Sequence, residues 1–182
     1  EMDKRWMEAF NMDKTGYIPR SIEKVIEQTI ATFKVALITG SRQVGKSTTL
    51  KYLLQNKDYE YVSLDDYSEL ETAKSDPKLF FLNHLGKLII DEIQYAPELF
   101  REIKLIVDRT GDYGQFILTG SQTFSLMEGV TESLAGRVGI LRMEGLSMRE
   151  ILKDGFNKPM VPDNEYFNSK RIPIDDIELW KR

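Results

Sequence analysis

The chain of 182 residues is 41% hydrophobic with a formal net charge of −4, enough for one α/β domain and the beginning of something further, without the basic field of a dedicated nucleic-acid binder. The absence of cysteine and a single histidine, His84, exclude a disulfide framework and thiolate chemistry and argue against zinc. The first residues lack the apolar core of a signal peptide, and apolar runs such as 35–38 and 88–90 fall far short of the ~20 residues of a membrane span, so the expectation is a cytoplasmic chain with no membrane partner.

A polar stretch over 1–20 leads into a predicted helix over 22–32, with Ser21 as its cap and Ile22, Val25, Ile26 and Ile30 on one face. A β-branched run over 34–39 predicts the first strand; a glycine-rich turn follows, then a helix over 46–55. Residues 59–64 read as a second strand closing on Asp65 and Asp66, with a helical or irregular segment through 83. The third strand is 88–91, and Pro97 suits the first turn of a helix carrying Leu99, Ile103, Ile106 and Val107 up to Gly111.

A fourth strand at 116–119, a helix over 121–135 and a fifth strand at 138–143 complete the pattern. Apolar strands alternating with helices predict an α/β three-layer sandwich around a five-stranded, mostly parallel sheet, because strands buried on both faces lose the period-two pattern. The core is expected over 21–154. Residues 155–171 read as a linker rich in Asn, Pro, Asp and Lys, and 172–182 as the start of an incomplete helix in a further C-terminal region.

Gly40-Ser41-Arg42-Gln43-Val44-Gly45-Lys46-Ser47, continued by Thr48, fits G-x-x-x-x-G-K-[ST] between a predicted strand and a predicted helix. Glycines let backbone N–H groups turn toward phosphate oxygens, the helix N-terminus adds positive potential, and Lys46 reaches the outer phosphates. Ser47 would place its hydroxyl on Mg²⁺. A second motif, Leu88-Ile89-Ile90-Asp91-Glu92, fills a buried strand and sets two carboxylates at its C-terminal end, where open α/β sheets bind ligands. It resembles a Walker B element: Asp91 for the Mg²⁺ shell, Glu92 to orient and deprotonate water. The expected ligands are ATP and Mg²⁺.

A Glu directly after the strand Asp is the mark of the P-loop branch that includes AAA-type ATPases, and the resemblance implies that strand 116–119 lies between the first and third strands. Ser121, with Gln122 second, would then be a sensor beside the γ-phosphate, and Ser121 reads equally as a helix N-cap. Arg137 resembles the finger that such ATPases offer to a neighbouring subunit, which would imply a homo-oligomer; a surface ion pair is an equal reading. Arg42 and Arg101 are weaker choices.

The blocks GSRQVGKST, YVSLDD, KLIIDEIQYAPELF, GQFILTGSQTFSLM and ESLAGR are similar to a family of prokaryotic AAA-like ATPases, over about residues 17–149. Resemblance to that family implies a C-terminal effector domain after the core, truncated here, and places Asp65, Asp66 and Gln94 near the nucleotide. From the residues alone, Asp65-Asp66 reads as a helix cap and Gln94 as a turn residue; His84, Tyr59 and Tyr61 read as packing.

Two functions follow: an ATPase whose hydrolysis drives a conformational change in an attached or partner domain, or a nucleotide-dependent binding or switch module with little turnover. Glu92 favours the first. A GTPase is excluded by the lack of an N-K-x-D element after a strand, and a small-molecule kinase is disfavoured by the lack of an Arg-rich lid. Nucleic-acid binding by a full-length protein finds no basic patch with interleaved aromatics here.

Overall fold

A computed structural model of the chain describes residues 17–121 and 124–151. Gln122, most of the N-terminal segment, and the predicted linker and terminal helix lie outside the described residues. Helix α1 (Glu23–Thr32) precedes β1 (Val35–Thr39), and α2 (Lys46–Leu54) connects it to β2 (Glu60–Ser63). Helices α3 (Tyr67–Ser75) and α4 (Pro77–Asn83) lead to β3 (Leu88–Asp91), and a 3₁₀ turn (Ile93–Tyr95) to α5 (Leu99–Thr110). Then follow β4 (Phe116–Gly120), α6 (Phe124–Ser133), β5 (Val138–Arg142) and the single-turn α7 (Met148–Ile151).

The strands form one parallel sheet in the order β2-β3-β4-β1-β5. β4 lies between β3 and β1, as the resemblance implied. All of β1, β3 and β4 is buried, and successive side chains go to opposite layers. Ala36, Ile38, Ile89 and Ile117 pack with Ile26 and Ile30 of α1 and Leu50 and Leu54 of α2. Val35, Leu37, Leu88, Ile90, Phe116 and Leu118 pack with Phe80, Phe100, Ile103, Val107 and Val130 on the other face. Phe80 and Phe100 are the largest buried anchors of that second layer, each contributing about 2–3 kcal/mol by area. The strand register sets every C-terminal strand end on one rim, and the glycine-rich turn leaves β1 there.

Local details differ from the expectations at helix starts. Ser21 does not cap α1: the helix begins at Glu23, whose Oε1 accepts from the Arg20 backbone N–H at 2.6 Å and the Tyr17 hydroxyl at 2.7 Å. No side chain caps α1; the Glu23 carboxylate instead serves two donors that precede the helix, at its positive end. The segment after β2 is two helices. Asp66 caps α3 by accepting from Ser68 N–H at 2.9 Å, and Asp76 caps α4 by accepting from Leu79 N–H at 3.0 Å, with Pro77 in its first turn.

His84, just past α4, sits between two carboxylates. Its Nδ1 is 2.7 Å from Glu60 Oε1 and its Nε2 is 2.9 Å from Glu69 Oε2, tying α4 to β2 and α3. Burial alone would lower the imidazole's affinity for a proton, but the bonds to Glu60 and Glu69 outweigh it and raise the pKa above the usual 6.5. A raised folded value stabilises the fold fully below 6.5, and that contribution is lost as pH rises through the folded value. In urea unfolding, the stability advantage of wild type over His84→Gln is expected to shrink as pH rises above 6.5; a difference that does not change with rising pH would disprove an ionised staple.

Candidate active site

The turn after β1 is shaped by two glycines. A Cβ on Gly40 would collide with the carbonyl oxygen of Met143, which lies close because the Met143 N–H donates to Thr39 O at 2.8 Å. Gly45 occupies the position before α2 in the left-handed region, at φ 92°, which costs glycine little and any other residue about 1 kcal/mol or more. Lys46, the first residue of α2, is 5% exposed; its Nζ donates to Gly40 O at 3.1 Å and Ser41 O at 2.9 Å. The ammonium thus lies inside the curl of the loop. No side chain caps the N-terminus of α2, so the positive end of its dipole faces the same space.

Ser47 meets Asp91. Its hydroxyl lies 2.8 Å from Asp91 Oδ2 and 3.0 Å from Oδ1. Asp91 is 6% exposed and accepts two further hydroxyls: Tyr61 Oη on Oδ2 at 2.5 Å and Thr119 Oγ1 on Oδ1. These three donors come from α2, β2 and β4. Packing is therefore only part of what Tyr61 does, whereas Tyr59 reaches away from the rim to the Gly114 carbonyl at 2.6 Å. Burial, then the hydrogen bond to Asp91, push the Tyr61 phenol far above its ordinary pKa, so it stays protonated and donates.

Thr119 and Tyr61 were missed as candidate site residues, because only the strand register brings them to Asp91. Ile89 is opposite Tyr61 on one side and Ile117 on the other. Two residues on along β3 and β4, Asp91 and Thr119 return to that face.

Glu92 follows Asp91 with φ 58°, the left-handed region that a non-glycine residue adopts at a cost of about 1–2 kcal/mol. Two bonds hold it there: its N–H donates to Thr119 Oγ1 at 3.2 Å, and its Oε2 accepts from Gln94 Nε2. Gln94 therefore serves a side chain instead of the backbone of the turn, and its Oε1 is buried with no hydrogen-bond partner among the described residues. Glu92 lines a cleft of about 310 Å³ with Arg42, Gln43, Asp65 and Tyr95, across which Arg42 Nη2 donates to Tyr95 Oη at 2.9 Å. Asp65 faces this cleft; Asp66 is the cap.

Beyond Gln43 the loop borders a second, larger cleft of about 550 Å³, walled by Tyr17, Ile18, Val44, Thr48, Thr49 and Leu146. Tyr17 stacks on Tyr52 at a centroid distance of 3.7 Å. Arg20, also on this wall, is 8% exposed and holds three parts of the chain together. It donates to Val44 O at 2.8 Å, to Glu144 O at 2.6 Å and to Glu150 Oε1 at 3.2 Å. Glu150 also accepts from the backbone N–H groups of Ser21 and Ser147, each at 2.7 Å. Burial would raise this carboxyl, but those bonds and the Arg20 charge bring it down to about 2.

The remaining residues singled out in the sequence stand apart in different ways. Ser121 is half-buried directly after β4, on the rim that carries Asp91 and the loop. Arg137 precedes β5, the neighbour of β1, at the N-terminal ends of the strands and so on the rim opposite the loop, where its carbonyl accepts from Val35 N–H. Its guanidinium grips Asp108 at 2.6 and 2.9 Å, so it does not reach the loop of its own chain. Arg101 is exposed on α5.

The glycine-rich turn, the buried lysine and the strand order define an AAA-type P-loop ATPase domain. Residues 32–152 match a family described as an AAA domain, and the chain belongs to that family. Over 118 residues it is 34% identical to uncharacterized protein Rv2008c of Mycobacterium tuberculosis and to uncharacterized protein Mb2031c of Mycobacterium bovis, a match covering 64% of this chain. The chain spans only about a quarter of those relatives, 26% of their length. Its fold is similar to that of the Walker-type ATPase PABY2304 of Pyrococcus abyssi, with a TM-score of 0.55 and 22% identity over 92% of this chain and 66% of that one. Among the described residues, no helix is long and apolar enough to cross a membrane.

Removing one partner of the buried Arg20–Glu150 pair strands the other charge. Glu150→Ala is expected to cost about 3 kcal/mol at neutral pH by urea unfolding. A lowered carboxylate pKa stabilises above 4.5 and that contribution is lost as pH falls toward 2. The gap between wild type and variant should therefore close in acid; a gap of under about 0.5 kcal/mol at neutral pH would show the pair to be dispensable.

Proposed function

We propose that this domain binds ATP with Mg²⁺ and hydrolyses it to ADP and phosphate, and that hydrolysis drives a conformational change in an attached or partner domain. The observation that carries the reading is the convergence on one rim of Lys46 inside its loop, Ser47 on Asp91, and Glu92 at the mouth of the smaller cleft. The loop runs between the two clefts, and Gln43 borders both. In this reading the base and ribose take the larger, aromatic-walled cleft and the terminal phosphate the smaller, acidic one. The donor set fits Mg²⁺: a hydroxyl and a carboxylate, all oxygen, with the rest of an octahedral shell left to waters and phosphate. Held by Ser47 and Asp91, the metal would supply positive charge against the negative charge that develops on the transferred phosphoryl group.

The chain's own residues do the rest. Lys46 and the dipole of α2 neutralise the phosphates, and Arg42 stands at the edge of the smaller cleft. Glu92 takes the proton of the attacking water, and Ser121 orients that water or the γ-phosphate from the end of β4. In single-turnover assays, Glu92→Gln is expected to retain ATP binding and to slow phosphate release by about 100-fold or more. Absence of Mg²⁺-dependent phosphate release from wild type would overturn the hydrolytic reading.

That outcome would favour the second reading, a nucleotide-dependent switch with little turnover. It has one specific observation behind it: the Glu92 carboxylate is engaged by Gln94.

Assembly belongs to the same proposal. Arg137 would act as a finger toward the phosphates of a neighbouring copy, which requires its grip on Asp108 to open. Light scattering should then show a mass increase on adding ATP and Mg²⁺ to wild type and none with Arg137→Ala; equal behaviour of the two would remove Arg137 from the assembly.

A further inference from the structure

Asp91 is held from three directions, by Ser47, Thr119 and Tyr61. Ser47 lies beside both carboxylate oxygens, and Thr119 is opposite Asp91 on the neighbouring strand and donates to Oδ1. The third donor, Tyr61, comes from the edge strand β2, reaches diagonally across the sheet, and donates to Oδ2 at 2.5 Å. Its side chain is 6% exposed, so the phenol has exchanged water for this carboxylate.

The ring itself is fixed from above. Lys51 Nζ stands 4.0 Å from its centroid, within the range of a cation–π contact. Lys51 is four residues beyond Ser47 on α2, so the two share one face of that helix. A closed circuit results: Ser47 touches Asp91, Asp91 accepts from Tyr61, Tyr61 lies under Lys51, and Lys51 returns along α2 to Ser47.

We propose that Tyr61 is a positioning residue for Mg²⁺: by bonding Asp91 Oδ2 while held beneath Lys51, it fixes the carboxylate plane relative to the Ser47 hydroxyl. The inference rests on the Mg²⁺–ATP reading above. Without the phenol, Oδ2 keeps only the Ser47 hydroxyl, which the metal would share, and Thr119 on Oδ1 is left as the one other hold on a terminal sp³–sp² torsion that is intrinsically broad. Mg²⁺ demands near-ideal octahedral geometry and tolerates such freedom poorly. In this reading Tyr61 acts through the carboxylate that would hold the metal, so its effect belongs to the metal-bound state.

The test is a titration of the full chain with a fluorescent ATP analogue, once with Mg²⁺ and once with EDTA. For Tyr61→Phe, affinity in EDTA should stay within about twofold of wild type, while the tightening produced by Mg²⁺ falls by about tenfold, the worth of one charge-assisted hydrogen bond. Lys51→Met keeps the phenol and should lose about threefold of that tightening. Should Tyr61→Phe show no cooperative melt, the folded Lys51→Met variant decides, and Mg²⁺ tightening equal to wild type overturns the proposal. An unchanged tightening in folded Tyr61→Phe, or an equal loss with Mg²⁺ and with EDTA, overturns it as well. Wild type that shows no Mg²⁺ tightening at all overturns the Mg²⁺–ATP reading and this inference with it.

Discussion

A carboxylate that is 6% exposed must be compensated where it stands, because an uncompensated buried charge costs several kcal/mol. Asp91 is that group, and hydroxyls offset its burial instead of a salt bridge. A cation placed directly on it would neutralise the charge that a divalent metal needs. Serine, threonine and tyrosine donors satisfy its oxygens and bring no charge of their own. They come from α2, β4 and β2, so this one charge depends on the P-loop helix, the adjacent strand and the sheet edge being in their places together.

The strand order follows from the same requirement. Thr119 can reach Asp91 only because β4 is inserted between β3 and β1, and the same threonine accepts from Glu92 N–H. Insertion of β4 thus sets both acidic residues at once: Thr119 donates to the Asp91 carboxylate and accepts from the backbone N–H of Glu92. The left-handed backbone of Glu92 turns the chain sharply after the strand, so that two adjacent acidic residues serve different places, one inside against α2 and one at the mouth of a cleft.

What the sequence discloses is what has short range. The strands were legible because each is a continuous apolar run, and the loop because its pattern lies between a strand and a helix. Lys46, Ser47, Asp91 and Glu92 were legible for the same reason: their neighbours in sequence are their context. Tyr61 and Thr119 were not, since each looks like an ordinary strand residue until the register is known. Arg20 was further out of reach, 24 residues from the Val44 carbonyl and 130 from Glu150. The Ser21 cap failed for a different reason: serine satisfies a general preference, but here Glu23 serves Arg20 and Tyr17 together and α1 has no side-chain cap.

Arg20 also gives the chain a fixed order of completion. A polypeptide leaves the ribosome from its N-terminus, so β1, the loop and α2 are made early, but the carboxylate that anchors Arg20 is 130 positions later. Until residue 150 has emerged, a guanidinium that braces the loop at Val44 lacks its buried counter-charge. Closing a loop of that length has to wait for the intervening strands to collapse. The glycine-rich turn is therefore among the first parts of the domain to be synthesised, and the Arg20–Glu150 contact behind it among the last able to form.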